Sequence, residues 1–297
     1  MRWEHRRRSS NVEDRRGASA GTPALMGLLI RLLPWLLRTK AGRILLVAGA
    51  GIFVGARMLG VDLLPLVTGQ PTPVNQHRSL SAEEQKLAEF VSVVLADTED
   101  TWQPLFARMG SRYQDPTLVL FSGQVQSACG FAQAAMGPFY CPGDGKVYID
   151  LSFYKDLKER HGAPGDFAQA YVIAHEVGHH VQNLLGISRK IHEARRRLPE
   201  VEANLLSVRQ ELQADCFAGI WGFYANQERQ LLEPGDLEEA LTAAAAIGDD
   251  RLQQQARGRI TPDSFTHGSS EQRVRWFKRG FDSGELEYCN TFDADRL

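Results

Sequence analysis

Downstream of residue 80, nonpolar positions follow helical spacing in three long segments and cluster in two short ones. Ser81 with Glu84 forms a capping-box pattern that begins a helix through QKLAEFVSVVLADTEDTWQPLF. TLVLF and KVYIDLSFY are rich in β-branched and aromatic residues and predict strands. Two more helices are predicted, one through QAYVIAHEVGHHVQNLL up to Gly186 and one through LLSVRQELQADCFAGIWGFYANQ after Pro199. The pattern predicts an α+β domain over residues 81–297, mostly helical with a small sheet.

The N-terminal part of the chain has a different pattern. It opens with MRWEHRRRSSNVEDRRG and continues with small residues, without a nonpolar period that would build a helix or strand. Residues 1–43 carry ten Lys/Arg against three Asp/Glu. We therefore expect residues 1–40 to be a basic, disordered tail, in which the Leu-rich residues 24–37 are compatible with an anchor at a membrane interface.

A nonpolar, glycine-containing segment follows this tail. Its uncharged part, residues 44–56, is shorter than the roughly 20 residues that a bilayer core requires. A transmembrane helix over residues 41–61 is predicted if Arg43 and Arg57 extend to the two interfaces. A buried core helix and a cleaved signal peptide are the alternatives. Residues 62–80 contain GQPTPVNQHRSLS and predict a linker.

Charge and composition limit the class of protein. The 297 residues are 43% hydrophobic and 24% charged, which is typical of a folded chain rather than a disordered one. The basic residues concentrate in the tail, so no nucleic-acid partner is expected. By the positive-inside rule, the tail lies in the cytoplasm and residues after about 61 cross the membrane.

The chain has an even set of cysteines: Cys129, Cys141, Cys216 and Cys289. An oxidising compartment would pair them, in one of three ways. Gly and Pro in the intervening segment allow the chain to turn back, which favours Cys129 with Cys141 and leaves Cys216 with Cys289. Four buried free thiols are the alternative, and no C-x-x-C spacing indicates a zinc site.

The segment His175-Glu176-Val177-Gly178-His179 carries the candidate chemistry. Residues four apart on a helix share one face, so His175 and His179 can bind one metal ion. Glu176 lies beside them and can reach a water molecule at the metal. The alternative is an ordinary helix with two histidines.

A catalytic zinc site needs a third protein ligand. The metzincin pattern is excluded because it requires His at position 185, which is Leu185. Glu211 in the following helix is the candidate, and Asp215, four residues later, is placed to accept the free N–H of a ligating histidine. A solvated acidic face is the alternative for both carboxylates.

These motifs resemble a known family. HEVGHHVQ followed by RQELQADCFAG, with SACGFAQAAMGPFYCPGDGKVYIDLSFY before them and THGSSEQRVRWFKRGF after them, is similar to the bacterial neutral zinc metallopeptidases of the YpfJ type. The opening MRWEHRRRSSNVEDRR matches as well, so the resemblance covers nearly the whole chain. With the predicted topology, it implies a periplasmic domain anchored to the bacterial inner membrane by a single span.

The helical HExxH with a later E-x-x-A-D is also similar to membrane proteases of the HtpX and CAAX-processing class. This similarity implies a gluzincin-like site in which His175, His179 and Glu211 bind one zinc ion and Glu176 is the base. Those relatives surround the site with several membrane spans, whereas this chain has at most one or two, near its N-terminus. Cleavage within the membrane is therefore not implied.

The resulting hypothesis is a zinc-dependent peptidase that hydrolyses a peptide or protein substrate with Glu176 as general base. The strand KVYIDL is expected to hold an extended substrate by edge pairing. His267 is predicted to face the zinc ion and stabilise the oxyanion, with Arg273 nearby as a support, because the similar proteases carry a T-H-P segment there. A surface-loop histidine is the alternative, and His180 and His192 are expected to be structural or surface residues.

A second functional class is a membrane-anchored, zinc-containing adaptor without turnover. A structural zinc site would close its fourth position with a protein ligand, usually Cys. No cysteine lies near HEVGH in sequence, and Cys216 is expected on a different helix face from Glu211.

Overall fold

The computed structural model describes residues 1–16, 34, 35, 37–40, 42–45 and 80–297. Residues 1–16 and 80–297 form one compact unit. The predicted interfacial segment, transmembrane helix and linker lie largely outside the described residues, which include residues 34, 35 and 37 of the first, 42–45 of the second and 80 of the third. Within the described part, no helix is both long enough and nonpolar enough to span a bilayer.

Helices dominate residues 80–297, which confirms the mostly helical α+β fold. Their bounds are α1 Ala82–Arg108, α2 Ser152–Glu159, α3 Asp166–Leu184, α4 Ile187–Arg195, α5 Glu200–Gln227, α6 Asp236–Ala246, α7 Asp249–Arg257 and α8 Ser270–Ser283. The predicted capping box is present: the Ser81 side chain accepts from the Glu84 N–H, and the Glu84 side chain accepts from the Ser81 N–H. Gly186 has a φ of 74°, which separates α3 from α4.

A small mixed sheet lies beside the helices. The strands are β1 Val12–Asp14, β2 Thr117–Phe121, β3 Gln124–Ser127, β4 Gly130–Gln133, β5 Phe139–Cys141 and β6 Lys146–Asp150. The sheet order is β1-β2-β6-β5, in which β1, β2 and β6 are parallel, β5 is antiparallel to β6, and β3 and β4 form a separate hairpin. The predicted strand KVYIDLSFY ends at Asp150, and α2 begins two residues later.

The edge role predicted for KVYIDL is wrong. This segment is β6, which pairs with β2 on one side and with β5 on the other, so its backbone groups are already bonded. The edge strand beside β6 is β5, whose sequence FYC is too short to show strand alternation.

The predicted disordered tail is also wrong for residues 1–16. Val12 pairs with Leu118 as β1 adds to the sheet, and Trp3 packs edge-on against Phe90 with ring centroids 5.3 Å apart. Arg7 Nη1 lies 2.8 Å from the buried Glu99 carboxylate. Arg2, Arg7 and Arg8 of this segment therefore pair with acidic residues of the folded domain.

Helices α5 and α8 pack with their backbones in close approach. A Cβ atom on Gly280 would lie 1.9 Å from the Cys216 carbonyl oxygen, and one on Gly219 would lie 2.1 Å from the Phe277 carbonyl oxygen. Any larger side chain at either glycine would force the helices apart. This packing fixes α8, which carries Arg273, against the helix that carries Glu211.

Both disulfide pairings predicted from the sequence are present. Cys129, in the turn of the β3–β4 hairpin, is joined to Cys141 at the end of β5. Cys216 in α5 is joined to Cys289 near the C-terminus. One bridge therefore ties the hairpin to the edge strand, and the other ties the C-terminal segment to α5.

Candidate zinc centre

Helices α3 and α5 bring three candidate ligands together. His175 Nε2 lies 3.2 Å from Glu211 Oε2, and His179 Nε2 lies 3.4 Å from Glu211 Oε1. All three side chains offer ligand atoms within 4.8 Å of one another. Zinc bonds of about 2.0–2.1 Å in a tetrahedral site require ligand atoms about 3.3 Å apart. The spacing of the two imidazoles and the carboxylate therefore fits a zinc ion.

Gly178, between the two histidines, allows the helices to approach. A Cβ atom at this position would lie 2.8 Å from the Ala214 carbonyl oxygen and 3.1 Å from the Ala214 Cα. Because Ala214 lies in α5 close to Glu211, a side chain at Gly178 would displace the helix that carries the third ligand. The glycine in HEVGH is thus part of the geometry of the site.

The second ring nitrogen of each histidine has a partner. His175 Nδ1 lies 2.8 Å from Asp215 Oδ1, as the sequence predicted for Asp215. His179 Nδ1 lies 2.9 Å from Gln182 Oε1, and the Gln182 amide donates in turn to the Gln210 carbonyl oxygen. An N–H on Nδ1 of each ring satisfies these acceptors and leaves Nε2 of both rings for the metal.

Asp215 is the centre of a buried polar network. Its carboxylate accepts from the Tyr171 hydroxyl at 2.5 Å and from Arg273 Nε and Nη2 at 2.9 Å each. Both Asp215 and Arg273 are buried. Arg273 therefore supports His175, through Asp215, and does not support His267. In residues 80–297 no hydrogen bond joins Arg273 to His267.

The charges of the cluster favour a cation near Glu211. The Arg273 guanidinium balances Asp215, whereas the ion-pair partners of Glu211 in residues 1–16 and 80–297 are the two histidines. Burial opposes ionisation of Glu211, yet the two histidines hold its pKa well below the usual range. Burial also disfavours a charged His175, but Asp215 and Glu211 outweigh burial and raise its pKa to about 10. A carboxylate that draws positive charge onto neighbouring imidazoles is the environment a divalent cation would occupy.

Glu176 lies beside the ligands in a cleft of about 400 Å³. Its side chain is 8% exposed, and its carboxylate accepts no hydrogen bond from residues 1–16 or 80–297. The cleft is also lined by His175, His179 and Glu211. Glu176 is therefore free to bind a water molecule or substrate within reach of the candidate metal position.

His267 faces the same cleft from the loop before α8. Its Nδ1 lies 3.2 Å from Asp249 Oδ1, and Asp249 Oδ2 accepts from the backbone N–H groups of Thr266 and His267 at 2.7 Å each. The hydrogen bond to Asp249 raises the pKa of His267, although burial opposes the rise. The imidazole is 52% exposed, so its Nε2 is open to a ligand.

Three residues that support this centre were not predicted from the sequence. Tyr171 lies four residues before His175, and Gln182 lies three residues after His179, so helical spacing could have identified both. Asp249 contacts His267 across a separation of 18 residues, for which the sequence has no local signal. His180 is structural, with Nε2 2.6 Å from the Gln114 carbonyl oxygen.

Comparisons with known proteins identify the family of this chain. Residues 1–292 match the family described as "Putative neutral zinc metallopeptidase". The chain is 57% identical to the uncharacterized protein YpfJ of Escherichia coli K12 over 293 residues, which is 98% of this chain and 99% of the relative. It is 40% identical to the uncharacterized protein Mb2605 of Mycobacterium bovis over 262 residues, 82% of this chain and 86% of the relative.

No solved structure matches the chain. The family match covers nearly the full length, including both helices of the zinc centre and the N-terminal segment. The chain therefore belongs to the neutral zinc metallopeptidase family.

Proposed function

We propose that this protein is a zinc-dependent peptidase whose single catalytic ion is held by His175, His179 and Glu211. The observation that carries the proposal is the clustering of these ligand atoms within 4.8 Å of one another, beside the Glu176 carboxylate that lines the same cleft. Three protein ligands leave a fourth position open, which is typical of catalytic rather than structural zinc.

In this proposal Glu176 is the general base. When bound, the ion supplies Lewis-acid chemistry that polarises the peptide carbonyl and acidifies water. The Glu176 carboxylate accepts the proton of the attacking water and then delivers it to the leaving amine. Proton transfer of this kind contributes about 10²–10⁴-fold to the rate.

His267 supplies the charge that the tetrahedral oxyanion needs. Asp249 holds Nδ1 and the backbone of the loop, which directs Nε2 toward the cleft. A raised pKa keeps the imidazole a cation, and therefore a donor, over a wider pH range. Asp249 acts through His267 and is a positioning residue.

Substrate binds along the edge strand β5. Residues 136–140 line the cleft that contains Glu176, so an extended peptide that pairs with β5 passes next to the ligands. Alternate residues of an edge strand direct their N–H and C=O groups away from the sheet, where a peptide can bond to them.

The adaptor hypothesis is less consistent with the site. A structural zinc would need a fourth protein ligand, usually a thiolate. All four cysteines are in disulfides, and Cys216 is joined to Cys289. Glu176, the other carboxylate that lines the cleft, is a base at the open position rather than a ligand in this proposal.

Two matched substitutions test the proposal on the full-length protein. Glu176→Gln keeps the shape of the side chain but cannot accept a proton, so we expect normal zinc content and at least about 10²-fold slower turnover of a peptide-library substrate. Glu211→Gln removes the anionic ligand, so we expect loss of zinc as well as turnover. Elemental analysis measures the zinc content. Mass-spectrometric detection of products, with and without a chelator, measures turnover.

Two different results would contradict the proposal. Undiminished turnover in Glu176→Gln would remove this residue as the base. Normal zinc content in Glu211→Gln would remove it as a ligand. An adaptor predicts that Glu176→Gln is silent in every assay.

A further inference from the structure

We propose that the site selects a nonpolar residue on the amine side of the scissile bond and an acidic residue on its acyl side, the latter through Arg195. This inference rests on the proposed peptidase function and adds the substrate class. It derives from two clefts that meet at the zinc centre and differ in chemistry. Both are lined by Tyr140, His179, Glu211 and His267.

The first, which we call the nonpolar cleft, contains Glu176. Beyond the zinc centre its walls are largely nonpolar, from Met136, Pro138, Phe139, Phe153, Val172 and Leu252. Met136 is 70% exposed, which is unusual for a large nonpolar side chain. A nonpolar substrate side chain would bury these surfaces.

The second, which we call the polar cleft, borders His179 and Glu211 but not His175 or Glu176. Hydroxyl and amide groups of Ser188, Ser207, Gln210 and Thr266 line it, together with one guanidinium, that of Arg195. Arg195 is exposed at the C-terminal end of α4 and has no ion-pair partner in residues 1–16 or 80–297. A substrate carboxylate is the group that an unpaired guanidinium and neighbouring hydroxyls recognise.

The position of Glu176 orients the peptide. Glu176 lines the nonpolar cleft and not the polar one. Because this carboxylate returns the proton to the leaving amine, the residue that carries the amine lies in the nonpolar cleft. The acyl side therefore extends into the polar cleft.

The edge strand connects the two clefts. Met136 to Tyr140 border the nonpolar cleft, whereas Tyr140 and Pro142 border the polar one. A peptide that pairs with this segment crosses the ligands at Tyr140 and reaches Arg195 on the far side. One extended substrate can therefore satisfy both clefts.

Binding, rather than turnover, is the primary test. Full-length Glu176→Gln is titrated with two peptides that share a nonpolar amine-side residue and carry either Glu or Lys on the acyl side. We expect the Glu peptide to bind about fivefold to tenfold more tightly at low salt, and Arg195→Glu in the same background to reverse this preference. Arg196→Glu is the matched control, because this neighbouring exposed arginine does not line the polar cleft.

Equal binding of the two peptides, no binding of either, or a preference that Arg196→Glu alters as much as Arg195→Glu would overturn the inference. Product analysis of the unsubstituted protein reports separately on the proposed function. Absence of cleavage despite selective binding would reject the peptidase and keep the acidic subsite. Cleavage without a preference for the Glu peptide would keep the peptidase and reject the acidic subsite.

The packing of residues 1–16 carries a second, independent inference: we propose that these residues and residues 80–297 lie on the same side of any membrane. β1 is a strand of the same sheet as β2 and β6, and Lys146 Nζ lies 2.8 Å from Glu13 Oε2. Arg16 Nη1 donates to the Glu84 carbonyl oxygen at 2.7 Å.

A single span at residues 41–61 would separate these groups by a bilayer. The sequence-based orientation also depends on the basic residues of the tail. All six arginines of residues 1–16 already have partners: Arg2 with Glu233, Arg6 with the Arg229 carbonyl, Arg7 with Glu99, Arg8 with Glu89, Arg15 with Glu13 and Arg16 with Asp14. They are therefore weak evidence for a cytoplasmic N-terminus.

Thiol labelling tests this topology in intact cells. Ser10 and Ser111 are both exposed, and the native cysteines are all in disulfides, so Ser10→Cys and Ser111→Cys each add one accessible thiol. We expect a membrane-impermeant maleimide to label both variants or neither in intact cells, and both after permeabilisation. Labelling of only one in intact cells would overturn the inference.

Discussion

The zinc centre and the N-terminal segment belong to the same compact unit, but their sequences reveal their structures to different degrees. At the centre, the important residues are four apart on α3 and four apart on α5, so the helical period alone brings them to one face. In residues 1–16 the contacts with the rest of the domain are distant in sequence: Arg7 reaches Glu99, and Val12 pairs with Leu118. A run of basic residues therefore indicates disorder only when the folded domain has no acidic residues that pair with it.

The largest effect is expected at the buried network behind the zinc centre. Asp215→Asn leaves the buried Arg273 guanidinium without its counter-ion, which typically costs about 3–5 kcal/mol of unfolding free energy. Denaturant unfolding of the full-length protein measures this. The double variant Asp215→Asn with Arg273→Met should be less unstable than the sum of the two single changes. Additive losses would show that the pair does not act as a unit.

The next effect tests whether the N-terminal segment is part of the fold. Trp3 is 9% exposed and packs on Phe90, so Trp3→Ala should destabilise the domain by about 3 kcal/mol. A disordered tail predicts no change. Ser10→Ala, at an exposed position of the same segment, is the control and should leave the unfolding midpoint unchanged.

These two sites define what the sequence could predict. The three long helices α1, α3 and α5, the His175, His179 and Glu211 cluster, the Asp215 contact and both disulfides follow from periodicity, spacing and cysteine arithmetic. Strand β1 could not be predicted, because a three-residue segment becomes a strand only by pairing with β2, which lies about a hundred residues later. The edge strand was misassigned for a similar reason: only the sheet order shows that β6 is interior.

The role of Arg273 shows a further limit. Its closeness in sequence to His267 suggested that they act together, but α8 directs the guanidinium toward Asp215 on α5. The close packing of α8 on α5 at Gly219 and Gly280 determines this direction. Asp249 is the actual partner of His267, and it lies at the start of a different helix.

A smaller effect is expected from the amide that holds His179. Gln182→Leu removes the acceptor for Nδ1, and loss of such a partner typically weakens metal affinity about 10–100-fold. Competition with a chromophoric chelator measures this affinity. Gln103→Leu, at an exposed glutamine of α1, is the matched control. Unchanged affinity in Gln182→Leu would mean that the His179 ring is oriented by packing alone.

The smallest effect concerns acid stability of the N-terminal segment. Hydrogen bonds from Arg15 and then Lys146 lower the pKa of Glu13 to about 2. In an unfolded chain the pKa of a glutamate is about 4.3, so ionised Glu13 stabilises the fold above that pH, and the contribution is lost as pH falls toward 2. Glu13 is 41% exposed, and solvent screening limits this contribution to less than about 1 kcal/mol. Glu13→Gln should therefore lower the unfolding midpoint slightly at about pH 6. On acidification, the unfolding midpoint of this variant should fall by less than that of the unsubstituted protein. An equal or greater acid loss in the variant would show that Glu13 does not help to hold residues 1–16 against the sheet.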